Sequence, residues 1–509
     1  MAELRLSVRS HHFVVDRMSP QGREVVEKFA RQFIQYGRRR RGRRYISGRL
    51  HDYFAWREDH RECRFHINVL ERFEQHLVGC GIGHESLIER IEEPVPVARE
   101  INVSIRDRWT LRDYQEPAVD YITADGEPRS RFIGLQTGKG KGIVSLFGIS
   151  RLRLRTLIEV LPKYIEKWVL EIREICDVEL EDVMVVRGVR HLKALLAMAA
   201  SGTLHSPIVI ISSKTLQRWI NVYERHGETT LQMGYACLPD QLMGWLGAGL
   251  RLIDEVHEHF SMQFRFDLYT HCQRSLSLSA TLLHSDGFLN RMYEIAYPTP
   301  TRYKSPAYDR YVRVTALFYR FRHPERIRYR DPLTKNYSHQ RFELSVMKDP
   351  ELLHRYLDLI DGIVRMRYLE GHIPGERLAV FFTTVAMCTR ATEFFRGRHP
   401  HLDVRRYIEE DPFENAITPD IRSTTLLSGG TAIDIPNLTT VILAIALSSV
   451  QANLQVLGRL RRLTSGRVPE FIYLNCMDII QHRVYHERKV ELFRYRALHH
   501  DTEFIHSPI

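Results

Sequence analysis

At 509 residues the chain is too long for one compact core, and 44% apolar residues are enough to fill two or three domains. No window approaches the ~18 uninterrupted apolar residues of a membrane span, and the stretch from Met1 to His12 is charged where a signal peptide needs an apolar run, so a soluble cytoplasmic protein with no membrane partner is expected. A net charge of +11 and a pI near 9.3 admit a polyanionic partner without choosing among DNA, RNA and anionic lipid. Seven cysteines, odd in number and without a Cys-x-x-Cys pair, argue against both a disulfide framework and a zinc site.

The first 97 residues read as a small α+β unit that binds nucleic acid. Strands are expected at Leu4 to Val8 and around Phe13 to Val15, followed by a helix opened by Ser19 as N-cap and Pro20 at its first position. Val26, Phe29, Phe33 and Tyr36 keep helical spacing, and Gly37 would close that helix; a second helix runs from about Ile67 to Gly79. Between them lie Arg38, Arg39, Arg40, Arg41, Arg43 and Arg44, read as a loop that grips phosphates, or equally as a solvated charge run.

After the linker-like Glu92 to Pro96, short apolar runs alternate with helical periods, the pattern of α/β domains whose parallel sheets are flanked by helices. We place one such domain at residues 98–300 and a second at 350–509. The intervening 301–349, rich in Arg, Tyr and Pro, reads as a connector or insertion.

Chemistry concentrates in a few strings. An apolar run ending at Leu135 leads into Gln136, Thr137, Gly138, Lys139, Gly140, Lys141 and Gly142, then a helical segment, the context of a phosphate-cradling loop. Lys141 is placed to reach β and γ phosphates, but Gly142 stands where Ser or Thr would bind Mg²⁺. Either the ion is held by the acidic motif and water, or hydrolysis is weak. Leu135 also stands where a Gly or Ala usually opens the loop.

Leu252 to His257 ends an apolar run in adjacent carboxylates. Asp254 would hold Mg²⁺, Glu255 would polarise the attacking water and His257 would report nucleotide state; alone, the pair would be a loop start. Ser279, Ala280 and Thr281 suit a hydrogen-bond relay, though by themselves they read as a turn. Asp434, ahead of a strand expected at Val441 to Ala446, would meet a ribose or an arginine. Gln455, Arg459 and Arg462 fall on a segment expected to be helical, where arginines can stabilise charge developing in phosphoryl transfer; Arg461 fits a solvated basic face.

Taken in order, these strings resemble the motifs of superfamily-two DExH helicases over residues 105–490, most like phage UvsW-type recombination helicases and their RecG and XPB relatives. The resemblance implies two tandem RecA-like domains behind the α+β unit, with ATP and Mg²⁺ between the lobes, held by Lys141 and Asp254 on one side and Arg459 and Arg462 on the other. It makes Arg112 and Gln115 adenine contacts, and Pro162, Lys163, Ser212, Thr215 and Thr383 nucleic-acid contacts. The expected activity is ATP-dependent movement on single-stranded, duplex or forked DNA in replication, recombination or repair. The rivals are an RNA helicase and a DNA-binding module with a decayed ATPase, the last rescued by Gly142→Thr.

Overall fold

A computed structural model describes every residue except 1–2, 42–43, 58–60, 85–86, 137, 280–286, 305–308, 430–434 and 464, with the backbone alone at 38–41, 44–46, 180, 427, 429 and 451. The chain forms two compact units, one of Met1–Leu135 with Lys139–Pro306, the other of Ala307–Ile509 with Gln136–Gly138.

The first unit holds two large sheets and two two-stranded ones. A five-stranded one runs in the order Ala55–Trp56, Glu62–His66, His12–Asp16, Leu4–Val8, Ile88–Glu92. Ser19 caps the helix Pro20–Ala30 as expected, accepting the Gly22 N–H at 3.0 Å. That helix and Leu70–Gly79 close over the sheet on an aromatic knot, with Phe29 and Phe73 5.1 Å and Phe13 and Phe73 5.2 Å apart. This core is continuous with the apolar side of the neighbouring α/β layer. Polar ties reinforce the join: Asp240 pairs with Arg9 at 2.8 Å and Arg64 at 3.0 Å, and the Asn68 amide donates to Ile295 O at 2.8 Å. The expected linker is likewise fixed, since Glu93 N donates to Val8 O at 2.9 Å.

Arg38 to Arg41 and Arg44 lie in strands, not in a loop. The preceding helix ends at Ala30, and Ile34–Arg41 pairs antiparallel with Arg44–Asp52, Arg38 opposite Ser47 and Arg41 opposite Arg44. The β-formers Ile34, Tyr36, Tyr45 and Ile46 drive this ribbon, and Gly37 sits within a strand opposite Gly48 instead of ending a helix.

The second sheet of this unit is wholly parallel, ordered Val183–Val186, Ile208–Ser212, Thr156–Val160, Leu250–Ile253, Arg274–Leu278, Ser130–Ile133. Every residue of the three strands Ile208–Ser212, Thr156–Val160 and Leu250–Ile253 is buried, because helices cover both faces. At its centre Arg251 is fully buried but paired, with Glu159 at 2.8 Å and with Asp267.

The second unit carries a seven-stranded parallel sheet, ordered Val404–Tyr407, Ile421–Thr425, Arg377–Phe382, Leu438–Leu443, Glu470–Cys476, Arg313–Tyr319, His499–Phe504. The stretch 301–349, read as a connector, therefore supplies an interior strand and the helix His339–Lys348. Six of the seven residues in Arg313–Tyr319 are buried, so no alternation marks it in sequence. The architecture is two α/β, RecA-like sheets and a small N-terminal α+β element. No described helix is long and apolar enough to cross a membrane.

Candidate functional site

Because the six strands of the first α/β sheet are parallel, their C-terminal ends share one edge, where open α/β sheets bind ligands. Asp254 follows Leu250–Ile253 and Ser279 follows the adjacent Arg274–Leu278, while Ser130–Ile133 beside it feeds the glycine loop.

Gly138 and Gly140 have φ of 84° and 81°, a left-handed backbone that glycine adopts without strain. Buried Gln115 fastens this loop: its Nε2 donates to Lys139 O and its Oε1 accepts the Arg112 N–H, both at 3.0 Å. Arg112 thus enters through its backbone. Among the described residues no side chain caps the helix Lys141–Leu152, so its N-terminal N–H groups offer anion-binding donors.

Lys141 Nζ lies 3.4 Å from Glu255 Oε1. Glu255 has φ of 48°, a strained conformation for a non-glycine residue, with its N–H donated to Asp254 Oδ1 at 2.9 Å. Burial works to raise the Glu255 pKa, but Lys141, His257 and Lys167 outweigh it and hold the carboxyl below its ordinary range. His257 Nδ1 is 2.7 Å from Ser279 Oγ and 3.3 Å from Glu255 Oε2. Burial lowers the His257 pKa, favouring the neutral ring. Lys141, Glu255, His257 and Ser279 therefore form one connected polar chain.

Asp254 is buried, and its Oδ2 accepts the Trp168 indole N–H at 2.9 Å and lies 3.7 Å from Lys167 Nζ. Both partners come from the helix Ile165–Ile175, whose buried face of Ile165, Trp168, Ile172 and Ile175 sets its rotation. Glu171 of the same helix covers Gly142: a Cβ on residue 142 would overlap Glu171 Oε2 and stand 3.0 Å from its Cδ. A threonine at 142 therefore requires the Glu171 carboxylate to move aside. Burial, with Asp254 and Glu174 adding to it, pushes the Glu171 carboxyl above its ordinary range against the pull of Lys167.

Trp168, Lys167 and Glu171 were not singled out from sequence. Their helical spacing is legible, but the contacts of Trp168 and Lys167 with Asp254 and of Glu171 with Gly142 join segments far apart in sequence and leave no local sign.

The remaining residues fall as follows. Pro162 and Lys163 form an exposed turn, with Lys163 Nζ 2.8 Å from Glu258 Oε2. Ser212 and Thr215 are buried, and Thr215 Oγ1 accepts the Gly188 N–H at 2.8 Å. Thr383 is exposed beyond Arg377–Phe382, its N–H donated to Glu343 Oε1 at 2.7 Å. Gln455 lies on the helix Val450–Leu457, but that helix ends at Gly458, so Arg459 and Arg462 follow in turn and coil and not on a helix as expected. Arg459 N bonds back to Val456 O at 3.1 Å, tightening the chain after its glycine cap. Arg459 is buried; Arg462 is exposed and pairs with Asp309 at 2.8 Å. Thr137, Ala280, Thr281, Asp434 and Arg43 lie outside the described residues, and the side chains of Arg38 to Arg41 and Arg44 are likewise not described.

No family model matches the chain, and no curated protein matches it. Solved structures do. The ATP-dependent Type ISP restriction-modification enzyme LlaBIII, bound to DNA, matches with TM-score 0.50 and 14% identity, covering 84% of this chain and 34% of LlaBIII. Mss116p bound to ssRNA and AMP-PNP gives 0.49 and 14%, covering 78% of this chain and 75% of its own. T4 UvsW gives 0.34 and 14%, covering 99% and 100%. At this identity the LlaBIII likeness speaks to the fold alone, and the other two superpose less well and add nothing to it. With its two parallel sheets in tandem, the chain shares the α/β fold of the matched part of LlaBIII.

Proposed function

We propose that this protein is an ATP-driven nucleic-acid motor, a DNA helicase or translocase working on duplex or branched DNA in phage-type replication, recombination or repair, in the cytoplasm. The observation that carries the reading is the connection of Lys141, Glu255, His257 and Ser279 at the C-terminal edge of a parallel sheet, next to a glycine loop and buried Asp254. A lysine and open helix N–H groups suit phosphate oxygens, and the carboxylate pair suits the metal ion and water that accompany them.

In this reading Lys141 exchanges Glu255 for the β and γ phosphates. The released Glu255 carboxylate orients the attacking water. His257 senses that change through its contact with Glu255 and passes it to Ser279, the start of the relay with Ala280 and Thr281. Gln115 keeps the loop in shape beneath the nucleotide, with Arg112 beside it. Asp254, fixed by Trp168, would hold Mg²⁺, which neutralises phosphate charge when bound. Arg459 and Arg462 would meet charge that develops on the γ phosphate, with Gln455 near the water and Asp434 on the ribose. The nucleic acid is held by the arginine ribbon of the N-terminal element together with Pro162, Lys163 and Thr383.

The choice of DNA rests on the resemblance of the motifs to recombination helicases and on the basic N-terminal element. It is tested by ATP-dependent strand release from labelled forked DNA and from an RNA duplex of the same sequence. Release from DNA supports the reading. Release from RNA alone replaces it with the RNA-helicase alternative, and binding of either without release favours the module with a decayed ATPase.

A further inference from the structure

We propose that Glu171 is a metal ligand of this site, supplying towards nucleotide-bound Mg²⁺ the oxygen that a Ser or Thr after the loop lysine would otherwise supply. The inference rests on the nucleotide reading above and goes beyond it, because it assigns a ligand from the helix Ile165–Ile175, outside every phosphate-loop string.

Three observations carry it. First, Gly142 leaves a space beside the helix entrance, and an oxygen already occupies it: Glu171 Oε2 lies closer to the position of a residue-142 Cβ than any real contact allows, within the volume a Ser or Thr side chain would take. Second, Glu171 Oε2 is buried with no hydrogen-bond partner among the described residues. A buried carboxylate oxygen without a donor is costly, and such orphans mark places where an ion completes the structure. Third, Lys167 Nζ lies 3.8 Å from Glu171 Oε1 and 3.7 Å from Asp254 Oδ2, so one ammonium stands between the two carboxylates. That shared contact ties Glu171 and Asp254 into one acidic site beside the glycine loop.

The donor set fits Mg²⁺. This ion keeps several waters and takes one or two carboxylates together with phosphate oxygens, so it does not need the cluster of three acidic, His or Cys side chains that the described residues lack. A carboxylate in place of a hydroxyl also adds a full negative charge, which favours a divalent over a monovalent ion. The pairing of Gly142 with Glu171 then follows: the longer side chain reaches in from the facing helix, and glycine makes room for it.

The test reads metal binding directly. Mn²⁺ is titrated by electron paramagnetic resonance into the full chain with a non-hydrolysable ATP analogue, and binding of a fluorescent ATP analogue is measured with and without metal. The forms compared are wild type, Glu171→Gln, Gly142→Thr and Gly142→Thr/Glu171→Ala. Glu171→Gln is expected to weaken Mn²⁺ binding at least ~10-fold while changing metal-free nucleotide affinity less than ~2-fold. Gly142→Thr alone also loses Mn²⁺ affinity, because the threonine and Glu171 compete for one volume. The double variant returns to within ~3-fold of wild type, with its hydroxyl where the carboxylate was. Nucleotide binding strengthened by Mn²⁺ equally in wild type and Glu171→Gln overturns the Glu171 assignment alone, as does a double variant no better than Gly142→Thr. A wild-type chain that binds no nucleotide with or without metal overturns the nucleotide reading and this inference with it.

Discussion

Replacing Lys141 by Met has a cost that can be worked from the structure before any nucleotide is added. Lys141 Nζ and Glu255 Oε1 are 3.4 Å apart with side chains 11% and 21% exposed. At an effective dielectric of ~20 such a pair attracts by ~5 kcal/mol. Desolvation of both groups offsets much of this, and His257 at 3.3 Å stays beside Glu255 in the variant, so a net loss of about 1–3 kcal/mol is expected. The pH dependence fixes the cause. Glu255 is held below its ordinary value of 4.5, so its contribution is fully present above that value and is lost as pH falls through the lower, folded-state value. Urea unfolding should therefore show Lys141→Met less stable than wild type at pH 7, with the gap closing in acid. In a double-mutant cycle with Glu255→Gln the coupling should reach ~1 kcal/mol or more. Equal stability at pH 7 with no coupling would refute the pairing and, with it, the exchange of Glu255 for phosphate.

Two further outcomes follow from other parts of the molecule. Changing Arg38 to Arg41 to Ala should reduce the slope of log affinity for DNA against log salt by about 2–3, since each phosphate contact contributes ~0.9; an unchanged slope removes the ribbon from the contact. In the second unit, Lys489 is buried over the Tyr473 ring at 4.4 Å with no hydrogen-bond acceptor among the described residues, and burial pushes its pKa from 10.5 down to about 7. Its folded value is depressed, so stability is greatest above 10.5 and falls as pH drops towards 7. Lys489→Met should accordingly raise the melting temperature below pH 7, by an amount equivalent to at most about 3–5 kcal/mol, and show little gain near pH 10.5.

What was legible in the sequence was whatever a local string records. The glycine loop and the Asp254 to His257 run lie within strand-to-loop contexts that a parallel sheet imposes, and they meet at one sheet edge because that topology leaves no other place for them. What was illegible depended on contacts distant in sequence or on patterns with no period. Trp168 and Glu171 read as ordinary members of an amphipathic helix until Asp254 and Gly142 are set against them. The strand Arg313–Tyr319 is buried on both faces and shows no alternation. The arginine ribbon leaves no sign because a run of one residue type hides the period of two, and the motif arginines keep helical spacing in sequence although the helix stops at Gly458.

The most direct test of the central claim is steady-state ATP hydrolysis measured side by side with single-stranded DNA, duplex DNA, forked DNA and RNA, for wild type, Lys141→Met and Arg462→Ala. The account predicts turnover stimulated by DNA, most strongly by the fork, and lost in both variants. Turnover absent with every nucleic acid, or unchanged in Lys141→Met, would contradict it.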